Sequence, residues 1–140
     1  MMKPISLAVL IALAGLMAYV RFAPVTAALW HIDLTSRPAP VTTPSPDRVT
    51  QLRNGAYTDT TASLARIDAV ALATPRTRRI AGTSAEGRIT YETRSLIWGF
   101  PDYTTAQSTP QGTLIFARQR FGGNDWGVNA ARLRDWLAKL

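Results

Sequence analysis

The chain has 140 residues, with sixteen Lys and Arg against nine Asp and Glu, and a formal net charge of +7. It has no cysteine and a single histidine, His31. Disulfides and thiolate metal sites are therefore excluded, and a Ser–His–Asp triad or a histidine metal site would depend on that one ring. Nearly all the cations are Arg, a bias that a GC-rich genome also produces. No RNA-binding, helix-turn-helix or zinc signature accompanies them, so nucleic acid is not an expected partner. The positive balance as a whole suits attraction to an anionic lipid, polymer or protein; no run of five basic residues exists, and Arg76-Thr77-Arg78-Arg79 is the densest patch.

From Ile5 to Val20 there is no charge and almost no polarity. With Phe22 and Ala23 included, the span Ile5–Ala23 reaches about 19 residues, close to what a bilayer crossing needs. Lys3 followed by an apolar run also fits a secretory signal, with Val25-Thr26-Ala27 as its cleavage site. Arg21 directly after the run, and Tyr19 and Trp30 as interfacial aromatics, favour an uncleaved anchor. Residues 1–30 are read as a transmembrane anchor with its interfacial flank, and His31 as lying at the membrane surface. Lys3 and Arg21/Arg37 pull orientation in opposite directions. The signal-anchor pattern and the segment that follows favour a single pass in a bacterial inner membrane, with a periplasmic C-terminal domain.

Thr35 to Pro46 contains four prolines, which forbid helix and favour an extended spacer. Residues 31–55 are read as a Pro/Thr-rich linker and residues 56–140 as one small domain of roughly 85 residues, enough for a single core. Asp59-Thr60-Thr61 can cap a helix in which Leu64, Ile67 and Ala71 share a face, stopped at Thr74-Pro75. Arg78–Thr83 is a short strand. Glu86-Gly87 is a turn, and Arg88–Trp98 alternates as a strand, with Tyr91 and Trp98 as core or interface aromatics. Tyr103–Ser108 and Thr113–Arg120 are strands around a Pro110-Gln111-Gly112 turn. A final helix from about Gly127 places Leu133, Trp136, Leu137 and Leu140 on one face. This order predicts an α+β fold: an N-terminal transmembrane helix, then a small antiparallel sheet of about four strands with two helices packed on one face.

Certain residues also carry a resemblance. They are Thr93-Arg94-Ser95, Gly99-Phe100-Pro101-Asp102 and the closing run Arg120-Phe121-Gly122-Gly123-Asn124-Asp125-Trp126-Gly127-Val128-Asn129-Ala130-Ala131-Arg132. Over Ala56 to Leu140 the chain resembles the bacterial and plastid family known as domain of unknown function 1499, in its short membrane-anchored form. The family's closing signature falls on Arg120, Gly122, Asp125, Gly127, Asn129 and Arg132. Tyr103 stands where relatives often carry a second acid, and Phe116-Ala117-Arg118-Gln119 replaces a frequent Arg-Ser-x-Ser lead. A cysteine common near the domain start is absent. The resemblance implies no reaction.

The candidate site is built from Arg120, Asp125, Asn129 and Arg132, with Asp102 opposite. Asp125 is placed to cap the last helix, whose N-terminus offers free N–H groups and partial positive charge. Asn129 and Arg132, three residues apart, share a helix face. Two outcomes compete there: Arg–Asp pairs that hold the helix to the sheet, or an anion pocket of Arg120, Arg132 and backbone amides. No metal site and no cofactor is expected. The favoured function is a membrane-anchored envelope protein whose domain binds or scaffolds through a basic face. Its partners would be the bilayer, through Ile5–Ala23, and an anionic lipid, envelope polymer or membrane protein. The alternatives are a structural subunit of a membrane complex, and a small enzyme or anion-binding domain. The last would use Arg120 and Arg132 with Asp102 and Asp125 on an anionic envelope compound.

Overall fold

A computed structural model of the chain describes residues 4–36 and 47–140. The elements are α1 (Pro4–Phe22), α2 (Ala27–Trp30), β1 (Thr50–Leu52), β2 (Gly55–Thr60), α3 (Leu64–Ala73), β3 (Thr77–Thr83), β4 (Arg88–Arg94), β5 (Pro101–Thr109), β6 (Gly112–Gln119) and α4 (Val128–Leu137). The strands form one antiparallel sheet in the order β1-β2-β6-β5-β4-β3. The α+β reading and the antiparallel sheet hold, but the sheet has six strands rather than four.

The two unexpected strands are β1 and β2. Gly55-Ala-Tyr-Thr-Asp-Thr60 has no apolar alternation, and its sequence suggests a linker end at Gly55 and a helix cap at Asp59-Thr60. It becomes a strand because its backbone pairs with β6 from Gly55↔Arg118 to Thr60↔Thr113. A side chain at Gly55 would collide with the Ala117 carbonyl, so this close approach requires glycine. The α3 cap is instead Ser63, whose Oγ accepts from the Arg66 N–H at 3.3 Å.

Helices α3 and α4 lie side by side on one face of the sheet, α3 over β3–β5 and α4 over β1, β2 and β6. Leu64, Ile67, Val70 and Ala71 of α3 meet Ala130, Leu133 and Trp136 of α4 over Ala56, Ile89, Tyr91, Ala106, Ile115 and Ala117. Tyr91 is core as expected, set edge-on to Trp136 with centroids 5.8 Å apart. Trp98 is not core: β4 ends at Arg94, four residues before the expected Trp98 end. Ser95 N–H donates to Phe100 O, and Ser95 Oγ accepts from Phe100 N–H, which closes a loop that leaves Leu96, Ile97 and Trp98 exposed.

The opposite face is covered by the chain that follows α1. Trp30 stacks on Tyr103 at 4.2 Å. Its carbonyl accepts from Thr105 Oγ1 at 2.8 Å and from Arg118. His31 Nδ1 lies 2.9 Å from Thr90 Oγ1, and the Leu34 N–H donates to Gln107 Oε1 at 2.8 Å. Trp30 and His31 therefore form a strap over the sheet. The physical reason is that the second face presents Thr90, Glu92, Thr105 and Arg118, polar groups that need partners once buried. Residues 37–46, most of the proline-rich run, lie outside the described residues. The strap residues on one side of that run and Val49 on the other both pack on the domain.

Candidate functional site

Four of the five expected site residues meet on the helix face, at the end of the sheet where β6 leads into α4. Asp125 accepts from the Gly127 and Asn129 N–H groups, each at 3.0 Å, and from Asn129 Nδ2 at 2.9 Å. It therefore caps the entry to α4, where Gly127 takes the left-handed conformation at φ 82°. Asn129 Oδ1 in turn accepts from Arg132, whose other terminal nitrogen donates to Asp102 Oδ2 at 2.9 Å. The Arg132 and Asp102 side chains are both largely buried. Burial holds the Asp102 carboxyl above its usual range, and Arg132 opposes that rise.

Arg120 goes elsewhere. It follows directly on the end of β6, and its side chain turns to the strap face. The Arg120 guanidinium donates to Pro24 O at 2.8 Å and Tyr103 Oη at 3.3 Å, and lies over Phe121. Beside the Asp102–Asp125 group is a cavity of about 300 Å³, lined by Phe100, Gln119, Phe121 and Trp126 among others.

A second cluster, not anticipated from sequence as a site, lies on the strap face where α1 ends. Arg94 organises it. Its Nε and Nη2 donate to Glu92 at 2.8 and 3.2 Å, and its Nη1 donates to the carbonyls of Val20, Arg21 and Gly99. It thus satisfies the free carbonyls at the C-terminal, partly negative end of α1. Glu92 is buried and also accepts from Arg78 Nε at 3.1 Å. The arginines hold its carboxyl below the usual range although burial, the largest single influence, acts the other way. Two adjoining cavities, of about 550 and 450 Å³, share Arg21, Arg78 and Arg94 in their walls. Glu92 and Arg94 alternate on one strand face in the sequence. Arg21 comes from a separate segment that only the tertiary fold brings alongside.

Arg118 completes the strap face. Its guanidinium is sandwiched between Trp30 and Phe116, 5.4 and 4.7 Å from the ring centroids, with no carboxylate partner among the described residues. It is 9% exposed, and its Nη1 has no hydrogen-bond partner. Desolvation draws it down to about 10. No group of three His, Cys, Asp or Glu side chains converges among the described residues.

An α+β domain joined through a strap to an apolar helix, with a capped Asp125–Asn129–Arg132 corner, defines the class of protein. The chain belongs to the family described as protein of unknown function (DUF1499), whose profile matches residues 32–140. That match starts on the strap, well before the Ala56 at which sequence resemblance began. No curated protein and no solved structure matches the chain.

Proposed function

We propose that this is a single-span membrane protein whose domain rests directly on the bilayer surface and works as a binding or scaffolding module, with the inner-membrane, periplasmic placement expected from sequence. The observation that carries the reading is the junction at the end of α1. The helix is apolar and long enough to cross a membrane, roughly 28 Å at about 1.5 Å per residue. Its last turn is built into the domain: Val20 is 2% exposed, and Arg94 binds the Val20 and Arg21 carbonyls. A domain fastened this way cannot hang from a spacer. Leu96, Ile97 and Trp98 project from the same end of the sheet, beside Arg21, and supply the apolar rim that an interface accepts.

The absence of cysteine makes the test clean. Single cysteines are introduced at Leu13, Ile97 and Ala85, the last on the exposed turn at the far end of the sheet. Each is labelled with an environment-sensitive dye in the reconstituted full-length protein. Lipid-borne quenchers should reach the labels at 13 and 97 and spare the one at 85. A water-exposed label at 13 would remove the anchor; one at 97 with 13 in lipid would lift the domain off the surface.

A second reading, a small-ligand or enzymatic site at Asp102 and Asp125 with Arg132, draws support from the 300 Å³ cavity beside them. Arg120 does not line this cavity; its guanidinium lies on the strap face against Pro24 and Tyr103. A phosphorylated or carboxylated ligand that protects the Trp126 loop from proteolysis in the parent, and not in Asp102→Asn, would favour it.

A further inference from the structure

We infer that the cleft between the last turn of α1 and the β3–β4 edge binds a phosphate-bearing anion at the bilayer surface, gripped by Arg21, Arg76 and Arg78. The inference rests on the membrane-surface reading and names what that surface recognises. Charge is the first argument. Four guanidiniums, those of Arg21, Arg76, Arg78 and Arg94, line the cavity with one carboxylate, Glu92. Arg94 is used up by Glu92 and by main-chain carbonyls, and that pair is internally neutral. Arg78 gives only its Nε to Glu92 and is 63% exposed, which leaves its terminal nitrogens facing the cleft. Arg76 gives only its Nε, to Arg94 O. Neither Arg21 nor Arg76 forms an ion pair with a carboxylate among the described residues. Arg79, at the rim, is already paired with Asp68.

Arrangement is the second argument. Three unneutralised guanidiniums around one concavity repel each other, and an anion with several oxygens relieves that repulsion while accepting paired N–H donors. Arg21 is exposed and its guanidinium lies against the 95–100 loop: a Cβ at Gly99 would be 3.2 Å from its Nη1, and Gly99, at φ 72°, lets the loop pass close by. Glu92 orients both Arg78 and Arg94 from below. Location supplies the third argument. Arg21 is at the end of the apolar span, so the cleft opens at headgroup depth when α1 crosses a bilayer. Leu96 on one lip and Phe22 with Val25 on the adjoining one offer the apolar flank that the first methylenes of a lipid chain would meet. The shared chemistry is the phosphate; a lipid headgroup and a soluble phosphate are the two sources.

The test uses full-length protein in neutral detergent, examined by native mass spectrometry with phosphatidylglycerol or phosphatidylcholine added. One phosphatidylglycerol should be retained roughly tenfold or more in preference to phosphatidylcholine. Arg76→Gln combined with Arg78→Gln should erase that preference, whereas Arg134→Gln, exposed on α4, should leave it. Displacement by millimolar inorganic phosphate assigns the site to a soluble phosphate; resistance assigns it to lipid. Equal retention of the two lipids by the parent, together with no phosphate adduct, would overturn the inference, as would a preference that survives the double variant. If the double variant lowers the melting midpoint, Arg78→Lys must still weaken retention several-fold, because it keeps the charge and loses the planar fork. Binding in micelles does not require α1 to span a bilayer, so this result and the label depths at 13 and 97 fail independently.

Discussion

The two faces of the sheet are both covered, yet they are built on opposite principles. On the helix face, Ile67, Ile89, Ile115, Leu133 and Trp136 are fully buried in a continuous apolar cluster, and its stability scales with the area removed from water. On the strap face, Thr90, Glu92, Thr105 and Arg118 are equally hidden, and each is held by a hydrogen bond to a side chain or to the strap backbone. Net gain per hydrogen bond is small, whereas a buried group left unsatisfied is costly. The helix face thus contributes most of the folding free energy. The strap face contributes position, because it fixes where α1 leaves the domain.

The largest effect should come from breaking the helix face. Trp136→Ala removes a fully buried ring that packs on Tyr91 and should cost about 3–5 kcal/mol. Domains of this size often have only about 5–15 kcal/mol in total, so the variant should be close to unfolding in denaturant titration. A loss under about 1 kcal/mol would mean that the core lies elsewhere. Next comes the ionic staple at the edge of the same face. Arg132→Met strands the Asp102 carboxylate and one Asn129 acceptor, and should cost about 2–3 kcal/mol. Adding Asp102→Asn should recover most of that loss, since the pair carries a desolvation penalty of its own. Failure of the second change to recover stability would show that the pair is more than a staple.

These contrasts also explain what could be read from sequence. Strands β3–β6 were legible because Gly87, Gly99-Phe-Pro and Pro110-Gln-Gly112 punctuate alternating runs, and α3 and α4 because their apolar residues recur at helical spacing. Asp102, Asp125, Asn129 and Arg132 were legible as a group because a motif marked them and three lie on one helix entry. Arg120 was misplaced because it leaves the end of β6 towards Pro24 and Tyr103 on the strap face, partners that are distant in the chain. β1 and β2 stayed hidden because pairing with β6, not their own pattern, makes them strands. The strap stayed hidden because Trp30 and His31 follow an apolar run and read as its interfacial end, while Tyr103 and Thr90 are distant in the chain. The arginine cleft needs segments around 21, 76–78 and 92–94 at once, and no local pattern links them.

Releasing the strap should be milder than the helix-face losses. Trp30→Ala removes the stack on Tyr103 and one wall of the Arg118 sandwich, at a cost of about 2 kcal/mol. The distinguishing measurement is hydrogen exchange. The Leu34 amide, which donates to Gln107, should lose protection, while amides within α3 and α4 keep theirs. Equal loss in all three would mean the two faces fold as one unit, and the contrast between them would collapse.

Acid provides the gentlest way to separate the faces. His31 Nε2 accepts from Arg88 Nε at 3.2 Å while Nδ1 meets Thr90, an arrangement that only the neutral ring satisfies. Burial, then the Arg88 charge, holds its pKa below the usual 6.5 of a free imidazole. In the unfolded chain His31 takes up its proton near 6.5, and in the folded chain only at lower pH. The unfolded state therefore binds more protons in that window, so stability is full above it and falls as pH drops through 6.5 towards the folded value. Asp33, held down to about 2 by Gln107 and Thr35, acts in a separate window, losing its contribution only as pH falls from 3.8 towards 2. The protection of the Leu34 amide, taken relative to its intrinsic exchange at each pH, should consequently fall first below 6.5, before any change in α3 or α4, and His31→Gln should abolish that first step while sparing the second. A His31→Gln protein that keeps the step near 6.5 would show that the strap answers to some other group.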